Sequence, residues 1–252
     1  MKRGWHFEVR LIFPLIFMLL SFSMVMSESP CHMALAAGEQ TFEPEEAPEG
    51  GKVSDPYEQT NRKIFDFNDR LYFYVFKPVT IVYSAYLPPG ARDSISRGFH
   101  NMVFPSRFVN FVLQGKTDKA AQETARFVIN STLGLAGLFD FAQSEFRLEN
   151  CETDFGVTLA YWGVGSGSFL MVPLLGPSNP RDLVGFAADS VMDPIFWLPA
   201  LWWETFSAET GKYLNHTSLH GSEYEELKKA SLDPYIAVRD GYIQYREHMI
   251  PK

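Results

Sequence analysis

The chain has 252 residues, 46% of them hydrophobic and 15% aromatic, enough to fill the core of one large domain or two small ones. A formal charge of -8 and a pI near 5.3 exclude a protein that works by neutralising nucleic-acid phosphates, which needs clustered Lys and Arg. Two cysteines, Cys31 and Cys151, are too few for a disulfide framework.

Lys2, Arg3 and Arg10 flank the apolar run "LIFPLIFMLLSFSMVM", which is short for a membrane span and is soon followed by small residues. Residues 1–36 therefore read as a secretory signal. Two processing routes stay open. The "ALA" at Ala34 to Ala36 suits simple cleavage before Ala37, whereas Cys31 would be the acylated first residue of a lipoprotein. Glu28, Ser29 and Pro30 give Cys31 a weak context for that modification. Residues 37–54, acidic and rich in Pro and Gly, bury too little apolar surface to offset their ordering entropy and read as a flexible tether. Residues 55–252 form a single helical domain.

That domain opens at "DPYEQTNRKIFDFNDRLYFYVF", where Asp55 is placed to cap a helix, Pro56 suits its first position and Glu58 completes a capping box. "GARDSISRGFHNM" is amphipathic, "PSRFVNFVLQG" runs from Pro105 to Gly115, and "TDKAAQETARFVINSTLG" opens on Thr117 and ends near Gly134. Alternating β-branched residues are confined to 155–175. There "YWGVGSGSFLMVPLLGP" reads as a glycine-rich turn at Gly163, Gly165 and Gly167 between two short extended pieces. Three more helices follow: one from Asn179, one over "LPALWWETFSAETGKYLN" and a short one over "SEYEELKKAS". Asp233 and Pro234 open the last, "DPYIAVRDGYIQYREHM". The fold class is all-α with one hairpin. Trp197, Trp202, Trp203 and the Phe65 to Phe76 stretch make several helices apolar on more than one face, as suits a protein lying in a membrane interface.

The chemical motifs point away from catalysis. The glycines are spaced G-x-G-x-G, Pro173 and Pro177 follow where a nucleotide fold needs a helix, and no Lys with Ser or Thr completes a phosphate loop. His216 and His220 stand four apart but lack a third ligand, and no nucleophile elbow holds a serine; they read as a solvated helix end. No metal, cofactor or catalytic residue is expected. Cys151 lies between Glu149 and Glu152, which oppose nucleophilic use. Arg181 and Asp182 read as a helix-start charge pair able to meet a headgroup or support the hairpin.

The opening "DPYEQTNRKIFDFND" follows the pattern D-P-x-E-x-x-N-R-x-x-F-x-F-N, with Asn61, Arg62, Phe65, Phe67 and Asn68 in place. With "KPV", "VNFVLQGK", "ARFVINSTLGLAGLFD", "FGVTLAYWGVGSGSFLMVPLLGPSNPRD" and "DPYIAVRDGYIQ" in the same order, the chain resembles the MlaA/VacJ family of outer-membrane phospholipid-transport lipoproteins. The resemblance implies a ring of short amphipathic helices in the periplasmic leaflet, around a central amphipathic channel that removes mislocalised phospholipids from the outer leaflet. It implies as partners phospholipids, a trimeric porin and a periplasmic lipid carrier that feeds an inner-membrane transporter, and no enzymatic activity. It also implies a gating loop at 137–155, with Gly134 and Gly137 as pivots, Phe139, Phe141 and Phe146 as apolar gates, and Phe67 with Asn68 holding that loop closed. A β-branched residue at Gly137 is expected to stiffen the loop and leave folding intact. A soluble periplasmic lipid-binding or adaptor protein without a channel is the alternative, and a lipid hydrolase a weaker one.

Overall fold

The computed structural model describes residues 55–197 and 202–250, with only the backbone described at 197 and 202–207. The signal, the tether, Cys31 and the side chains of Trp197, Trp202 and Trp203 lie outside the described residues.

Helix α1 (Glu58–Leu71), a π-helical turn at Tyr72–Phe76 and α2 (Lys77–Tyr86) run on as one helix, since Tyr72 and Lys77 both keep right-handed helical angles. Pro78 accounts for the widened turn: it has no N–H for Tyr74 O, and a π turn lets the ladder pass over the missing bond. Pro88 is extended and ends this helix, and α3 (Pro89–Met102) begins at once. Then come α4 (Phe104–Leu113), α5 (Thr117–Thr132), the single turn α6 (Phe141–Ser144) and α7 (Phe155–Tyr161). Strands β1 (Leu170–Val172) and β2 (Gly176–Ser178) pair antiparallel with Met171 opposite Pro177, the only sheet among the described residues. The chain continues with α8 (Pro180–Met192), α9 (Pro194–Trp197), α10 (Trp202–Ala230) and α11 (Pro234–Met249). The architecture is helical throughout apart from the hairpin, as the sequence indicates.

Several helix starts follow the local signals. Asp233 Oδ1 accepts from Tyr235 N at 3.1 Å and Asn179 Oδ1 from Asp182 N at 2.9 Å, so Pro234 and Pro180 take first positions where no N–H is needed. Asp55 departs from expectation, since the residue preceding α1 is Tyr57 and it does not cap with its side chain, whereas α5 opens on Thr117 as expected, with Lys116 before it and no side-chain cap. Asp55 instead accepts from Asn61 Nδ2 at 2.9 Å and from the Tyr235 hydroxyl. The two "DPY" starts hold each other, because Arg62 of the first pairs with Asp233 of the second at 2.8 Å and lies over the Tyr235 ring. Within the described residues, the two helices expected over 198–231 are one helix of 29 residues, Trp202–Ala230, which no proline interrupts. Gly221 is tolerated inside it because the Tyr72 hydroxyl needs the space, donating to Gly221 O at 3.0 Å. His216 and His220 lie within this helix rather than at its end.

The hairpin also differs in detail. Its turn is residues 173–175, with Leu174 and Gly176 in the left-handed region at φ 69° and 83°, a three-residue loop closed by glycine. Gly163, Gly165 and Gly167 belong to the exposed link between α7 and β1, preceded by a helix where a nucleotide loop would need a strand.

Asn61 and Asn68 dock the hairpin on α1. Asn61 Nδ2 donates to Phe169 O at 3.2 Å and its Oδ1 accepts from Met171 N at 2.9 Å. Asn68 repeats the pattern with Val172 O at 2.9 Å and Leu174 N at 2.8 Å. Seven helical residues rise about 10 Å, as do three strand residues, so two asparagines two turns apart meet the strand edge in register. Between them Phe65 packs with Phe169, Met171, Tyr235 and Tyr242 in the main apolar cluster.

Candidate functional site

Three helices bury charged and amide side chains and expose apolar ones, with the rings of Phe111 in α4 and Phe186 in α8 buried beside the polar groups. In α4, Ser106, Arg107 and Asn110 are buried while Phe108, Val109, Val112 and Leu113 are exposed. In α5, Glu123, Arg126 and Asn130 are buried, Ala120 packs with Phe111 and Cys151, and Val128 faces out. In α8, Arg181 and Asp182 are buried and Val184 and Val191 exposed. The outer face of the π turn and α2 adds Tyr74, Val79, Ile81, Val82 and Tyr86, the two tyrosines 81% and 83% exposed. So much apolar surface is rare on a protein in water alone and marks a surface that meets another apolar phase.

Ion pairs and hydrogen bonds engage the buried charges of these three helices. Arg107 Nε pairs with Glu123 at 2.9 Å, and Arg126 Nη2 with Asp140 at 2.7 Å. Asp182 sits at the centre of a second group, accepting from Arg181 Nε at 3.0 Å, Arg246 Nη2 at 2.8 Å, Asn179 Nδ2 at 2.6 Å and the Tyr242 hydroxyl. Burial alone would raise its carboxyl, but the Arg246 guanidinium, the Tyr242 hydroxyl and Arg181 outweigh that and hold it below the usual carboxylate range. Asp189 accepts from the Ser106 hydroxyl at 2.6 Å, Asn110 Nδ2 at 2.8 Å and Phe155 N at 2.8 Å. Burial and then the charge of Asp154 push the Asp189 carboxyl up to about 6.

These groups border a cavity of about 140 Å³, whose walls include Arg107, Asp154, Asp182, Asp189, Lys212 and Arg246. A second cavity of about 190 Å³ is mainly apolar, bordered by Phe65, Leu71, Phe76, Met171, Tyr213 and Val238, with His216 and His220 on one wall. Leu175 and Pro177 of the hairpin line both cavities, so a chamber with charged side chains in its wall and a more apolar one adjoin across β2. No group of three or more His, Cys, Asp or Glu suited to a metal occurs among the described residues.

The family model for the MlaA lipoprotein matches residues 53–249. The chain belongs to the MlaA lipoprotein family. It is 34% identical over 201 residues to the intermembrane phospholipid transport system lipoprotein MlaA of Escherichia coli K12, covering 76% of each chain. It is 30% identical to the Haemophilus influenzae protein of the same name, covering 76% of this chain and 77% of that one. An uncharacterized protein of Rickettsia prowazekii is 34% identical over 78% of each. A solved structure from work on the maintenance of bacterial outer-membrane lipid asymmetry overlays with a TM-score of 0.68 at 32% identity, covering 78% of this chain and 98% of that one.

The residues singled out from the MlaA pattern fall in three places. Asn68 binds the hairpin, as described, and none of its hydrogen bonds reaches 137–155; Phe67 beside it is exposed rather than core. Gly134 and Gly137 lie in a turn in which Leu135, Ala136 and Gly137 have φ of 51°, 60° and 94°. Hydrogen bonds from Gly137 N to Asn130 O at 2.8 Å, Ala136 N to Ser131 O at 3.2 Å and Phe139 N to Gly134 O at 3.0 Å fix this turn. A Cβ at Gly137 would lie 2.4 Å from Asn101 Cβ, so a β-branched residue there disturbs folding, contrary to the sequence expectation. Phe139 and Phe146 are exposed, Phe141 is half-buried, and Phe139 meets Phe141 edge-on at 6.4 Å; none of the three borders either cavity. Arg181 and Asp182 are both buried, and Asp182 reaches the polar cavity. Lys212, Asp189, Arg107 and Arg246 went unnoticed in the sequence. The signal that could have found them is a polar stripe at helical spacing, such as Glu123, Arg126 and Asn130 in α5, opposite an apolar one.

Proposed function

We propose that the chain transports phospholipids in the maintenance of outer-membrane lipid asymmetry, and that it does so as a non-enzymatic passage lying in the periplasmic leaflet. The observation that carries this reading is the inverted amphipathicity of α4, α5 and α8. Apolar side chains face outward and buried ion pairs face inward, the arrangement suited to a protein surrounded by acyl chains. No described helix is long and apolar enough to cross a membrane, and residence in one leaflet is part of the proposal. The adjoining chambers match the two ends of a phospholipid, a polar one for a headgroup and an apolar one for tails, with β2 between them. The names of the relatives support the same process. Ring closure around the chambers, a trimeric porin beside the apolar belt and a periplasmic carrier receiving the lipid complete the proposal.

The test is complementation. In a Gram-negative host lacking its own family member, the full chain should fractionate with the outer membrane and reduce surface-exposed phospholipid, read as headgroup susceptibility to an external phospholipase. Protein in the outer membrane that leaves surface phospholipid unchanged overturns the transport reading. Protein only in the soluble periplasm moves the assignment to the adaptor without a channel.

A further inference from the structure

Lys212 is 8% exposed, borders the polar cavity and has no hydrogen bond or ion pair among the described residues. Every other cation on that wall is engaged: Arg107 by Glu123, Arg246 by Asp154 and Asp182. An ammonium so deeply buried is unfavourable without a counter-charge, and the nearby carboxylate on its own helix, Glu209, is a poor one. Burial pushes Glu209 up to about 7, with Lys212 opposing and Asp193 adding to the rise, and Glu209 Oε2 is buried without a partner. Arg246 likewise keeps its Nε without a partner. The Lys212 ammonium therefore has unspent donor capacity beside a space large enough for roughly ten waters or one small polar group.

The rest of the wall limits which group fits. Glu152, Asp154, Asp182, Asp189 and Asp193 line the cavity against Arg107, Lys212 and Arg246, so carboxylates are in excess. Asp193 holds Ile195 N with Oδ1 and has a second oxygen to offer. A net negative headgroup would add to that excess, whereas a headgroup with its own ammonium offsets it.

We infer that the polar cavity is a site for a zwitterionic phosphoamine headgroup, with the Lys212 ammonium on the phosphate and Asp193 on the amine. This rests on the transport reading and specifies its substrate class. A phosphate bound by Lys212 takes up a charge-assisted hydrogen bond, the strong kind in a water-poor site. The site thus passes phosphoethanolamine lipids in preference to phosphoglycerol lipids.

The test uses the full chain in mild detergent, titrated calorimetrically with glycerophosphoethanolamine, glycerophosphoglycerol and inorganic phosphate. Glycerophosphoethanolamine should bind roughly tenfold or more tighter than glycerophosphoglycerol. Lys212→Met should weaken it by a similar factor and Lys212→Arg should restore most of it, as expected for loss and return of one charged hydrogen bond. Lys212→Arg also separates loss of binding from loss of folding, since a variant that binds is folded. Equal affinity for the two glycerophosphodiesters, unchanged binding in Lys212→Met, or no binding of either overturns the inference. Inorganic phosphate binding as tightly as glycerophosphoethanolamine, with both lost in Lys212→Met, shows a free-phosphate site and overturns the headgroup assignment. A chain that restores lipid asymmetry in cells without this preference sinks the headgroup inference alone. One that shows the preference and leaves asymmetry unrestored sinks the transport reading.

Discussion

At the scale of single residues, the interior is held by charges whose partners come from distant parts of the chain. Arg246 on α11 joins Asp154 before α7 to Asp182 on α8, and all of it depends on one guanidinium. Arg246→Met keeps the apolar length of the side chain, leaves Asp154 without its cation and leaves the buried Asp182 with Arg181 alone. Chemical denaturation should show a loss of about 3–5 kcal/mol, the usual range for breaking one side of a buried pair. Glu209 predicts the opposite sign. Its carboxyl is raised to about 7, so between the usual Glu value and pH 7 the folded chain keeps a proton that the unfolded chain has released. Folding stability from this group is therefore intact at pH 4 and falls as the pH rises through that window. Glu209→Gln removes the titration, so its stability relative to the parent should improve by on the order of 2 kcal/mol from pH 5 to pH 8. A relative stability that does not change with pH would show that Glu209 ionises in the folded chain as it does in the unfolded one.

At the scale of elements, what the sequence made legible was what neighbouring residues decide. Asp233 and Asn179 cap helices because their acceptors reach amides two or three residues on, and the patterns that mark such starts are local. Asp55 has the same local pattern, but Asn61 and Tyr235 compete for its carboxylate, and Tyr235 lies 180 residues away. The hairpin turn was legible in principle, since Gly176 closes an apolar stretch; the more conspicuous glycines upstream drew the turn to the wrong place. The role of Asn68 was not legible, because its partners stand more than 100 residues downstream. It also supplies the test of how the hairpin is held. Asn68→Ala leaves Val172 O and Leu174 N without their partner and should cost about 1–2 kcal/mol, mostly as local opening of the turn. Hydrogen exchange at the Leu174 amide should accelerate while that at the Met171 amide, bonded to Asn61, keeps its protection. Equal acceleration at both would mean that the two asparagines act as one cooperative unit.

At the scale of the whole molecule, the inside-out pattern separates folding from membrane residence, because different faces of the same helix serve each. On α4, Ser106, Arg107 and Asn110 build the interior, while Val109 and Val112, 36% and 49% exposed, touch little of the protein. Replacing an exposed surface residue ordinarily changes stability by less than about 0.5 kcal/mol. The same residues facing acyl chains give up more. Each valine loses up to about 1.5 kcal/mol of apolar transfer, and each new carboxylate adds a penalty of up to about 2.5 kcal/mol at full depth, less nearer the interface. Val109→Glu with Val112→Glu should therefore melt within a few degrees of the parent in detergent and yet float poorly with vesicles of phosphatidylethanolamine and phosphatidylglycerol. Two carboxylates added at exposed polar positions outside α4, Ser222→Glu with Gln244→Glu, should leave flotation unaltered. If the double valine variant floats as the parent does, α4 faces water or a protein partner, and the apolar belt has to be placed on the π turn and α2 instead. If it melts far below the parent, these valines are packed against the protein itself, and the exposed face of α4 has been misread.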